Sequence, residues 1–291
     1  MLAAELLQYV VNDTLHQGHL RLPLDQPSAD FPIIQYADDT ILILEADINQ
    51  ITHLKGLLQK FTASTGLAVN YAKSSMVPIN VHPERLKLLA AVFGWAIGSM
   101  PFTYLGLPMG TTKPRMDDLT PLMDRMERKL NACSSLLSYS DRLEMVNSAI
   151  TPIATYTMCT LKLPASVIEN MDRNRKQCLW RGTDRSKKGG HLAAWSTGSK
   201  PKIKGELGVL NLRLQNDALL LKQLHKFYNK KDIPWVQLVW FRYYRNGKVP
   251  HASREVGSFW WKDLLRLSVL YRGIARCQLG DGSTVLFWED L

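Results

Sequence analysis

At 291 residues with 46% apolar content, the chain can bury a sizeable core, fits two domains, and is too apolar for a mostly disordered polymer. Its net charge of +10 is unevenly spread: residues 1–120 hold 8 Lys/Arg against 11 Asp/Glu, and residues 121–291 hold 28 against 15. The basic second part suggests a nucleic-acid partner, or a solvated surface that aids solubility. No apolar stretch approaches the roughly 18–20 residues of a membrane span. The start, Met1 to Leu7, lacks a basic region and carries an early Glu5, so it does not read as a signal peptide. An intracellular location, cytoplasmic or nuclear, with no membrane partner is expected. Cys133, Cys159, Cys178 and Cys277 are scattered without paired spacing, which argues against zinc and fits free thiols.

Apolar residues at 2, 6, 7 and 10 predict an amphipathic helix to about His16. Because no cap precedes it, an upstream part is expected to be missing. Two short apolar runs, Phe31–Gln35 and Thr40–Leu44, read as buried strands of a hairpin with Asp38 and Asp39 at its turn. Asp47 is an N-cap for a helix carrying Ile48, Ile51, Leu54, Leu58 and Phe61, and Gly66 ends it. Leu67–Asn70 alternates like a strand, and Pro83 opens a helix through about Val92. Phe102–Gly110 reads as a strand or turn segment whose glycines permit close backbone approach.

From about Asp117 the pattern turns helical, over 117–132, 139–160 and 164–180. Basic loops follow at Arg181–Gly190 and Pro201–Gly205. Further helices are expected over Asn211–Tyr228, after Pro234 and near Phe259–Leu270, then a hairpin around Gly280-Asp281-Gly282. The fold class is therefore α+β: antiparallel strands with helices first, then a mainly helical region. Divisions are expected near residues 115 and 210.

Tyr36-Ala37-Asp38-Asp39 carries the chemistry. Adjacent carboxylates repel and resist desolvation, so they favour a bound cation or raised pKa values, and carboxylate oxygens suit magnesium. An ordinary acidic β-turn would look the same, and the apolar flanks favour the metal-binding reading.

The segment Thr65-Gly66-Leu67-Ala68-Val69-Asn70-Tyr71-Ala72-Lys73-Ser74 follows, then Tyr104-Leu105-Gly106-Leu107-Pro108-Met109-Gly110 and Cys178-Leu179-Trp180-Arg181-Gly182. Leu207-Gly208-Val209-Leu210-Asn211-Leu212 and the ending Gly280-Asp281-Gly282 with Phe287-Trp288-Glu289-Asp290 complete the order. Over essentially its whole length the chain resembles the reverse transcriptase of non-LTR, LINE-type retrotransposons of plant genomes. The resemblance implies a partial polymerase palm over 1–115, a helical thumb over 116–210 and a helical connector over 211–291. It implies two-metal nucleotidyl transfer by an RNA-directed DNA polymerase with Mg2+ as cofactor, and an RNA template and DNA primer as partners. Asp38 would be the principal metal ligand and Asp39 the supporting one, with Tyr36 beside the growing 3′ end. Lys73 would donate a proton to pyrophosphate, or simply be solvated. Tyr104, Leu105 and Gly106 would grip the primer, or form a buried turn. Arg173, Arg175, Lys176, Arg181, Arg185, Lys187 and Lys188 would meet duplex phosphates, or line a solvated face.

A polymerase palm of this kind needs a further carboxylate on a neighbouring strand. Asp13, near a helix end, and Asp25 and Asp30, in a Pro-rich stretch, do not supply it. The expectation is that the chain alone is not competent and that a missing N-terminal polymerase half is its partner. The alternatives are a non-catalytic nucleic-acid-binding module and a fragment of a decayed element.

Overall fold

The computed structural model describes residues 2–23, 33–131, 137–181, 193–244, 257–278 and isolated positions beyond. It is α+β, with most described residues helical and three two-stranded sheets. The chain divides into two compact units, Met1–Phe102 with Lys230–Gly247, and Thr103–Asn229 with Lys248–Leu291. Compactness thus sets the first boundary at Phe102–Thr103 rather than near 115. It places none near 210: Leu212 shares a core cluster with residues 119–209.

In the first unit, α1 (Leu2–His16) packs on β1 (Ile33–Tyr36), which pairs with β2 (Asp39–Leu42). Then come α2 (Ile48–Thr65), β3 (Ser75–Met76), α3 (Pro83–Phe93) and β4 (Ala96–Ile97). Asp47 caps α2 by accepting from the amides of Asn49 and Gln50, both at 3.0 Å. Gly66 ends α2 at φ 74°, a left-handed value that a Cβ would strain. One face of α2 carries Ile51, Leu54, Leu57 and Leu58 into a core with Leu7, Val11, Ile33, Leu89 and Phe93.

Leu67–Asn70 forms no strand. The Lys73 amide donates to the backbone and side-chain oxygens of Asn70, at 3.1 and 3.2 Å, so Asn70 opens a turn instead. The strand comes later, at Ser75–Met76, and pairs in parallel with β4.

β5 (Phe102–Tyr104) spans the boundary, and β6 (Leu107–Met109) lies in the second unit, the two strands joined by Leu105 and Gly106. A short 3-10 turn (Asp117–Leu119), α4 (Thr120–Asn131), α5 (Tyr139–Met145), α6 (Thr155–Thr160) and α7 (Ala165–Arg181) follow. The single helix expected over 139–160 departs from α geometry between Val146 and Ala154, first as a π turn and then as a 3-10 turn. Pro152 has no N–H to donate, and the buried Val146 carbonyl instead receives the Thr151 amide and, at 2.6 Å, its hydroxyl.

Beyond lie α8 (Trp195–Gly198), α9 (Leu212–Tyr228), α10 (Pro234–Tyr243, in the first unit), α11 (Phe259–Arg266) and α12 (Ser268–Ile274). The helix expected to reach Leu270 is therefore two, α11 and α12. Within the second unit α11 and α12 pack on α9, with the Phe227 and Trp261 ring centroids 4.6 Å apart. Most of the hairpin expected around Gly280-Asp281-Gly282, Asp281 included, lies outside the described residues.

Candidate functional site

The β1–β2 ribbon is antiparallel, with Ile33 opposite Leu42, Ile34 opposite Ile41, Gln35 opposite Thr40 and Tyr36 opposite Asp39. Ala37 and Asp38 are thus a two-residue turn, with Ala37 at φ 54°. Directly opposed residues share a face, and alternate pairs share opposite faces. Ile33, only 4% exposed, and Leu42 join the core, which leaves Ile34, Tyr36, Asp39 and Ile41 on the outer face. Tyr36 is 63% exposed, and Asp38 and Asp39 are both exposed.

The expected buried strands are therefore buried only at their base. Among the described residues no third strand pairs with the ribbon, and Ile34, Tyr36 and Asp39 on its outer face are exposed.

Lys73 is exposed in the turn before β3, in a sheet separate from the ribbon. Leu105 and Gly106 both have positive φ, 49° and 76°, as a tight hairpin turn of the mirrored type requires. Tyr156 steadies that turn by donating its hydroxyl to the Leu105 carbonyl at 3.1 Å, and Tyr104 is half-buried beside it. The tight turn expected at Tyr104-Leu105-Gly106 is thus present, in the second unit.

The basic set on α7 separates into unlike members. Arg173 is exposed, whereas Lys176 and Arg181 are half-buried. Arg175 is 0% exposed and cannot meet a phosphate. Its guanidinium pairs with Asp172 at 2.8 Å, donates to the Leu210 carbonyl at 2.7 Å and lies 5.3 Å over the Trp195 ring. Burial pulls its pKa down, against the Asp172 carboxylate. The helical pattern of α7 turns Arg175 inward, on the same side as Met171, Cys178 and Leu179. Arg185, Lys187 and Lys188 lie outside the described residues.

Other cations of the second unit also serve the fold. Lys113 reaches the buried Asp263 at 2.6 Å, and Lys162 pairs with Asp217. Burial pulls the Lys162 pKa down, opposed by the Asp263 carboxylate.

Asp38 and Asp39 are the natural donors for magnesium; Asp38 lies in the turn, and Asp39 opens β2 on the face of Tyr36. Among the described residues no group of three or more His, Cys, Asp or Glu could hold a metal ion. This donor set does not fit a pair of magnesium ions, which need converging carboxylates at near-octahedral geometry.

A loop that the sequence pattern marks only as basic has unexpected order. Residues Lys200 to Gly208 form a closed projection with Ile203 at its tip, 93% exposed. Its sequence signal is the alternation Lys202-Ile203-Lys204 after Pro201.

No protein-family model matches the chain. The chain is similar to an Arabidopsis thaliana protein named "Putative ribonuclease H protein", at 25% identity over 190 residues. That stretch covers 63% of this chain and 30% of the relative, so the similarity spans under a third of the relative's length. No described helix is long and apolar enough to cross a membrane.

Proposed function

We propose that the chain is part of a reverse transcriptase of the non-LTR retrotransposon type, holding the acidic hairpin of its palm and a basic helical region that binds duplex nucleic acid. The observation that carries this reading is the β1–β2 ribbon, with Asp38 at its tip and Tyr36 and Asp39 paired on its outer face. An aromatic ring beside a carboxylate on an open ribbon suits a primer terminus, where the ring can pack against a nucleotide. The ordered series of motifs and the basic second part support the same partner class. The relative's name speaks of a ribonuclease; nucleic acid as a partner is the element of it that agrees, and hydrolysis is not carried over.

The chain by itself does not perform nucleotidyl transfer. Two exposed carboxylates, with no third donor grouped with them among the described residues, cannot position two ions and a nucleotide, and positioning supplies much of such a rate enhancement. The test uses the purified chain with a primed RNA template, deoxynucleotides and magnesium. No incorporation is expected, and Asp38-dependent incorporation would overturn the claim of incompetence. Duplex binding is expected to weaken steeply with salt and to survive Asp38→Ala. Absence of binding even at low salt would remove the nucleic-acid reading. A binding module without ancestral chemistry is the second reading, favoured by the basic excess lying away from the hairpin in the sequence. Adding a segment that bears a further palm strand and carboxylate separates the two: Asp38-dependent synthesis would favour the polymerase reading.

A further inference from the structure

The Lys200–Gly208 projection has an apolar tip that the fold does not use. Its base is clasped by backbone: Gly208 donates to the Lys200 carbonyl and Val209 to the Gly198 carbonyl, both at 3.1 Å. Val209 is buried and Leu207 packs on the core of the second unit, so the clasp is anchored. Above it, Pro201 leads into a 3-10 turn over Lys202–Lys204, where the Lys204 amide reaches the Pro201 carbonyl at 2.9 Å. Gly205, at φ 77°, closes that turn.

Gly208 takes φ 68°, and a Cβ there would sit 2.7 Å from the Lys202 Cγ. The aliphatic stem of Lys202 therefore lies against the Gly208 backbone, which holds the lysine along the loop. In a turn of three residues, side chains fan out about 120° apart. Lys202 and Lys204 thus flank Ile203, and Lys200 adds a third exposed ammonium. Glu206, half-buried, is the one carboxylate of the segment. On α7 the Lys176 ammonium sits 5.7 Å over the ring of Trp195, the first residue of α8.

A lone exposed aliphatic is ordinary on a protein surface. Here, however, it is displayed on a hydrogen-bonded turn between cations. We infer that this projection is a wedge for double-stranded nucleic acid: Ile203 enters between base pairs while Lys200, Lys202 and Lys204 take the flanking phosphates. Apolar wedges of one residue's size unstack base steps in this way, and lysines beside them supply the counterion-release term. An anionic bilayer is the poorer match, because a single aliphatic side chain buries too little for stable membrane attachment. The inference rests on the nucleic-acid reading above and names the residues of its contact.

The test uses the full chain with a DNA duplex and an RNA–DNA hybrid of the same sequence, each carrying 2-aminopurine at one internal step. Fluorescence is expected to rise on binding as the base unstacks, on one or both duplexes. Ile203→Ser abolishes the rise and weakens binding about tenfold, as loss of one buried aliphatic side chain implies. Its thermal midpoint is unchanged, because Ile203 packs on nothing. Lys202→Ala/Lys204→Ala lowers the log–log salt slope by about 2.

Salt-dependent binding by the wild type, with both variants indistinguishable from it on both duplexes, would overturn the wedge and leave the nucleic-acid reading standing. A wild type that binds neither duplex at low salt would remove both. Ile203-dependent binding to phosphatidylserine vesicles without duplex binding would replace the wedge by a membrane contact, and so overturn it too.

Discussion

Tyr36 and Asp39 oppose one another directly across the β1–β2 ribbon, and the two residues between them, Ala37 and Asp38, make the whole turn. This pairing puts the ring and one carboxylate on the outer face while the other carboxylate sits at the tip. Its local cost is Ala37 at φ 54°, where an L side chain crowds its own backbone. Ala37→Gly relieves that crowding but adds freedom to the unfolded chain. A net stabilisation of about 0.5–1 kcal/mol is expected from urea denaturation; a loss of stability would show that the Ala37 methyl group makes a favourable contact.

Arg175 and Arg173, two residues apart on α7, should behave oppositely. Arg175→Ala leaves Asp172 and the Leu210 carbonyl without their cation and is expected to cost about 3–5 kcal/mol, with little direct effect on nucleic-acid contact. Arg173→Ala, at an exposed position, is expected to change stability by no more than about 0.5 kcal/mol. Equal denaturation midpoints for the two variants would contradict the buried role of Arg175.

Asn216, 0% exposed on α9, acts as a polar rivet. Its side-chain oxygen accepts from the Leu163 amide at 2.9 Å, and its amide donates to the Met158 and Leu161 carbonyls, both at 2.9 Å. Asn216→Leu keeps similar bulk but strands three backbone groups. A loss of about 3 kcal/mol is expected, seen as a lower thermal midpoint of the second unit. Asn216→Asp, retaining the acceptor alone, is expected to be destabilised as well.

His53 stacks on His19, with ring centroids 4.7 Å apart and planes 16° from parallel. Burial, His19 and Lys60 together hold the His53 pKa below its ordinary value of 6.5. The folded chain therefore binds this proton less readily than the unfolded one. The contribution to stability is complete above pH 6.5 and is lost as the pH falls through the lower folded value. Denaturation midpoints at pH 7.5 and pH 5 should differ less in His53→Gln than in the wild type; an identical difference would remove the pair from the pH response.

Much of the α+β plan was legible from local signals. Asp47 and Gly66 marked both ends of α2, Pro83 opened α3, and the glycines of Phe102–Gly110 marked a strand or turn segment there. Local signals misled where a side chain competed with the backbone or a donor was missing. Asn70 drew the chain into a turn where alternation promised a strand, and Pro152 diverted a helix through π and 3-10 geometry. The unlike fates of Arg173 and Arg175 were not legible, because both are basic residues on one helix.

The sequence by itself determined the ends of α2 and the start of α3, and that the acidic pair belongs to a short ribbon, with Asp38 in its turn and Asp39 opening β2. These depend on backbone preferences and hydrogen bonds between residues a few positions apart. Only the tertiary structure decided which face of the ribbon is open, which arginine is buried and that Ile203 stays exposed. Those outcomes depend on partners far along the chain, as Leu210 is from Arg175 and Gly208 from Lys202, and burial is a property of where such partners meet.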